Sequence, residues 1–74
     1  MKFCYVLLWY ENICPEVKVF EKEKDAYTYF QSTLSDYNID KRDIEMYTEW
    51  LKQRLHIYIE EIDKNFDIVM RQIL

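Results

Sequence analysis

Hydrophobic positions in this chain change their spacing along its length. Residues 3–10 are an almost unbroken run of apolar and β-forming side chains (Phe3, Cys4, Tyr5, Val6, Leu7, Leu8, Trp9, Tyr10), and residues 16–21 alternate through Val17 and Val19. β-Branched and aromatic side chains suit a pleated, half-buried surface. Asn12 and Pro15, between the two runs, supply turn chemistry. The pattern predicts a β-hairpin over 3–21 with a loop of about four or five residues. Its register stays open, because a one-residue slip decides whether Val17 and Val19 share a face with Val6 and Leu8 or with Leu7 and Trp9. In either register the first strand is apolar on both faces. It therefore lies between two layers or offers one face to a partner.

From residue 24 the spacing becomes helical. Ala26, Tyr27, Phe30, Leu34 and Tyr37 recur mostly at three- and four-residue steps, which predicts a helix over 24–37. Asp36, Asn38 and Asp40 mark its end, since short polar side chains bond locally to backbone and favour turns and caps.

Residues 40–74 fit two templates. As strands, Leu55, Ile57 and Ile59 alternate, as do Phe66, Ile68 and Met70, around a turn at Asp63, Lys64 and Asn65. This leaves Glu61 and Ile62 on the wrong faces. As helix, Ile44, Tyr47, Leu51, Leu55, Tyr58, Ile59, Ile62, Phe66, Val69, Met70 and Ile73 form one broad stripe, and Asp40 can cap the start. The helical template accounts for more positions, so one long amphipathic helix over 40–74 is expected. The expected fold class is α+β: a single small domain, 1–74, with an N-terminal β-hairpin followed by two α-helices.

That helix would be about 52 Å long, against a radius of gyration of about 11 Å for a globule of this size. It must bend near 63–65 or project. Leu55, Ile59, Ile62, Phe66, Val69 and Ile73 follow heptad-like steps along the projecting half, so they are the expected self-association seam of a homodimer. Met46, Trp50 and Ile57 point away from the main stripe. With Trp9 and Tyr29 they are the candidate anchors for another protein, since desolvated aromatic residues dominate interface energetics.

Composition narrows the function. The 74 residues include no glycine, one proline and two cysteines, with a net charge of −4. Without glycine there is no phosphate-cradling loop and no dinucleotide fingerprint. No segment is basic, which disfavours nucleic acid; Lys41, Arg42, Lys52 and Arg54 would carry phosphate contacts in a nucleic-acid-binding homodimer. The apolar run 3–10 is too short to span a bilayer, so no membrane role is expected. Cys4 and Cys14 would stand roughly 25–30 Å apart in the hairpin at strand spacing, too far for a disulfide. Both are read as reduced, in a cytoplasmic setting.

Candidate chemistry is sparse. His56, Glu60 and Asp63 lie on one side of the expected helix, but a single histidine without HExxH or CxxC spacing is weak evidence for a metal. Glu60 and Glu61 diverge on a helix, and nothing places Cys4 or Cys14 beside His56 as a nucleophile–base pair. No catalytic residue, metal or cofactor is assigned, and the chain is not expected to be an enzyme. Small, acidic, aromatic-rich and free of motifs, it is similar in format to the proteins that phages and other viruses use to bind and block host proteins. The expected function is a small protein-interaction module, plausible as an inhibitor of that anti-defence kind. The alternatives are a nucleic-acid-binding homodimer or a self-assembling structural protein.

Overall fold

In the computed structural model, which describes residues 2–11 and 14–73, seven elements follow one another. They are β1 (Lys2–Glu11), β2 (Cys14–Phe20), α1 (Glu23–Asp36), α2 (Lys41–Arg54), β3 (His56–Ile59), a short 3-10 turn (Glu60–Ile62) and β4 (Lys64–Ile73). The strands form one antiparallel sheet in the order β2-β1-β4-β3, so two hairpins are joined through β1 and β4. The fold is α+β, with the two helices packed on one face of the sheet.

The first hairpin forms where the apolar pattern placed it. Val6 pairs with Val19 and Leu8 with Val17, which settles the register. Glu11 pairs with Cys14, so Cys14 and Pro15 belong to the strand rather than to a longer loop. The expected turn residue Asn12 lies outside the described residues. Side chains alternate across the sheet. Leu7 and Trp9 turn to the helices and are buried, while Val6 and Leu8 turn to the other face.

α1 ends in a Schellman motif. The Asn38 N–H bonds the Ser35 carbonyl at 3.0 Å, the Ile39 N–H bonds the Leu34 carbonyl at 3.3 Å, and Asn38 takes the left-handed conformation. Leu34 and Ile39, the two residues such a motif brings into apolar contact, are both buried. α2 starts at Asp40, whose side chain accepts from the Arg42 N–H at 3.2 Å, and Asp43 adds favourable charge in the first turn. Thr48 ties the helices together: it donates to the Ile44 carbonyl and accepts from Gln31 Nε2 at 3.3 Å.

The long helix over 40–74 does not form. α2 stops at Arg54, and residues 56–73 build a second hairpin. Leu55 makes the break, with φ of 62° and its N–H closing onto the Leu51 carbonyl at 2.7 Å. The phase conflict at Glu61 and Ile62 is absorbed by the 3-10 turn, which restores strand alternation before Phe66. Ile57 and Ile59 from β3 and Phe66 and Ile68 from β4 then point inward together. Dividing the length in this way also removes the misfit in size, and the radius of gyration is 12.1 Å.

The core lies between the sheet and the two helices. Leu7, Phe30, Leu34, Leu51, Ile59 and Phe66 are fully buried. Phe66 stacks on Trp9 at 5.9 Å and meets Phe30 edge-on at 5.0 Å, so the two central strands and α1 share one aromatic cluster.

Candidate interaction surface

The helices cover one face of the sheet, and among the described residues no element packs on the other. Strand register places its side chains in rows. Val19, Val6 and Val69 make one row across β2, β1 and β4. Val17, Leu8, Asp67 and His56 make the next, across all four strands. Cys4 and Arg71 stand on the far side of the valine row. Val17 and Val19 are 51% and 63% exposed, which is unusual for β-branched side chains in a sheet.

At one end of this face Leu8, Tyr10, Pro15, His56, Asn65 and Asp67 line a shallow depression of about 500 Å³. His56 Nδ1 stands 2.7 Å from Asp67 Oδ1, and the pair is half-exposed. Beyond it the Tyr58 hydroxyl donates to Asp63 Oδ1 at 2.6 Å. That bond, with desolvation and the charges of Asp63 and Glu60, holds the Tyr58 phenol above its ordinary pKa. Lys64, from the helix side of the sheet, donates its Nζ to the Tyr10 carbonyl at 3.0 Å and lies over the Tyr37 ring.

A carboxylate on an imidazole can orient a base, but neither cysteine stands beside this one. Cys4 lies four residues along β1 from Leu8, about 13 Å at strand spacing, and Cys14 alternates to the opposite face from Tyr10 and Pro15. Both cysteines are free thiols. His56, Glu60 and Asp63 fall on a strand, a 3-10 turn and a left-handed corner. Among the described residues no group of three or more His, Cys, Asp and Glu could hold a metal ion.

The expected anchors separate. Trp9 and Ile57 are core residues, 6% and 5% exposed, so neither is free to meet a partner. Tyr29 is half-buried between the Trp9 and Phe20 rings. Met46 and Trp50 remain exposed on α2, with the Trp50 ring edge-on to Tyr47 and capped by Arg54. Trp50 is thus held in place on the helical side of the molecule.

The expected helical seam is dispersed as well. Ile59 and Phe66 are fully buried, Ile62 is half-buried, Leu55 is at the αL corner, and the Ile73 side chain lies outside the described residues. Only Val69 reaches the middle of the open face. Lys41 and Arg42 begin α2 whereas Lys52 and Arg54 end it, about 16 Å apart at helical rise. Lys52 pairs with Glu49 and lies over the Tyr27 ring, so the four bases form no single patch. Among the described residues no helix is long and apolar enough to cross a membrane.

Val17 and Val19 were absent from the expected anchors although the register question already bore on them. Pairing with Val6 and Leu8 rather than with Leu7 and Trp9 is what puts all four on the uncovered side. The chain matches no known protein family, no curated protein sequence and no solved structure.

Proposed function

We propose that this chain is a small protein-interaction module that docks on another polypeptide through the bare face of its sheet. It acts by occupying a protein surface rather than by transforming a substrate. One observation carries the reading: a face four strands wide presents Val6, Leu8, Val17, Val19 and Val69 with no helix over it. An antiparallel sheet usually keeps a solvent face polar, and a contiguous apolar patch of this kind marks an interaction site. Tyr10 and Tyr58 stand 60% and 50% exposed near one end, the aromatic chemistry that interfaces favour.

The test is a paired substitution on the edge strand. Val17→Lys with Val19→Lys should leave the fold intact, because lysine is well tolerated on an exposed edge. The wild-type chain is expected to run as part of a defined complex, with itself or with another protein, in an extract of its native cell and after purification. The lysine variant should run as a free monomer. Equal complexes from both proteins, or no complex from the wild type, would refute the docking surface.

A further inference from the structure

We infer that the open sheet face is covered by a second copy of this chain, packed sheet on sheet about a two-fold axis that crosses the strands at the Val6–Val69 row. This rests on the reading of that face as a docking surface and names its occupant. The charges on the face are self-complementary. Asp67 and Arg71 lie two residues to either side of Val69 on β4, and all three side chains point outward. A two-fold axis across the strands at Val69 lays β4 antiparallel over its own copy. Asp67 of each chain then faces Arg71 of the other, while Val69, Val6 and Val19 meet their own copies along the axis.

Other two-fold arrangements fit worse. An axis along the strands, between β1 and β4, would set Leu8 over Asp67 and Cys4 over Arg71, burying each charge against an apolar group. An axis one row away, through Leu8, would bring two Asp67 carboxylates together, a like-charge contact that a specific interface avoids. Among the described residues the salt bridges are Lys52–Glu49 and His56–Asp67, neither of which involves Arg71. The ten-residue central strands β1 and β4, about 30 Å long, carry the overlap, with the Val19 end of the seven-residue β2 beside them and the four-residue β3 outside it. The dimer contact is therefore a small one, about 300–400 Å² of sheet per copy, in which the paired charges set the arrangement.

Charge reversal tests the arrangement by sedimentation equilibrium of the purified chain. The wild type is expected to be a dimer. Asp67→Arg and Arg71→Asp should each raise the dissociation constant about tenfold or more, because each sets like charges together. The double variant D67R/R71D should return to within about threefold of wild type, since it restores both pairs in reverse. If Asp67→Arg fails to fold, Arg71→Asp on the exposed strand carries the same test. Single variants that dimerise as tightly as wild type, or a double variant no better than the singles, would overturn the two-fold arrangement. A wild-type chain that stays monomeric at submillimolar concentration overturns the second copy. The docking surface is judged separately, by whether Val17→Lys with Val19→Lys still releases another protein.

Discussion

Asn38, Leu55 and Asp63 hold φ of 61°, 62° and 51°, and each stands where the chain must turn sharply. Asn38 closes α1, Leu55 closes α2 and Asp63 closes the 3-10 turn. In a chain without glycine these corners fall to side chains with a Cβ, at a cost of about 1–2 kcal/mol for a residue such as leucine. Asn and Asp suffer less, because their side chains bond locally to backbone. Leu55→Gly should therefore stabilise the fold, since the Leu55 side chain is 54% exposed and little burial is lost. Allowing roughly 0.5–1 kcal/mol for the extra freedom of glycine when unfolded, the expected gain is about 0.5–1 kcal/mol, or about 2–8 °C in Tm for a domain of this size. Thermal unfolding monitored by circular dichroism measures it, and a lower Tm would show that Leu55 is not strained. This residue also explains where the sequence misleads. Asp36, Asn38 and Asp40 announce the end of α1 by their chemistry, whereas nothing in a leucine at the end of an amphipathic run announces a left-handed corner.

At the scale of elements, the hairpin over 3–21, the helix near 24–37 and the start of α2 at Asp40 were all legible, because one period fits each segment. Residues 55–73 were not, because two periods fit. Leu55, Ile59, Ile62, Phe66, Val69 and Ile73 read as a helical stripe although Leu55, Ile57 and Ile59, and again Phe66, Ile68 and Met70, alternate, and the segment is rich in β-branched residues. The strand pattern failed only at Glu61 and Ile62, and a three-residue 3-10 turn accounts for that failure. The same misreading hid half of the open face. On a helix His56 and Asp67 are eleven residues and about three turns apart, while on paired strands they are direct neighbours at 2.7 Å. Phe66 distinguishes the two architectures in an experiment. On the expected helix it would lie on the projecting seam, where truncation weakens association and spares the domain. In the sheet it is fully buried between Trp9 and Phe30. Phe66→Ala should cost the folded chain about 3–5 kcal/mol, read as a lower urea midpoint. A loss below about 1 kcal/mol would place Phe66 outside the core.

Across the whole molecule, burial and neighbouring acidic groups together raise three of the tyrosines. Tyr27, Tyr47 and Tyr58 all have phenols raised above the ordinary value of 10.0. For Tyr27 the main cause is burial, with the Glu23 charge adding to it; for Tyr47 it is again desolvation, followed by Glu61 and Asp43. For Tyr58 the hydrogen bond to Asp63 leads. In each case a phenolate would be less favourable in the folded chain than in the unfolded one, so the native state holds these protons more tightly. The contribution is complete at pH well below 10, where both states are protonated. It is lost as pH rises past the unfolded pKa and through the raised folded values. Stability should then be flat with respect to tyrosine between about pH 7 and 9 and fall above about pH 10. Tyr27→Phe should flatten that fall most among the three substitutions, because its ring is buried while Tyr47 is half-exposed and Tyr58 is exposed, where solvent screens the coupling. Urea unfolding of wild type and Tyr27→Phe at pH 8 and pH 10.5 is the measurement. An identical alkaline loss in both proteins would mean that Tyr27 does not carry the effect.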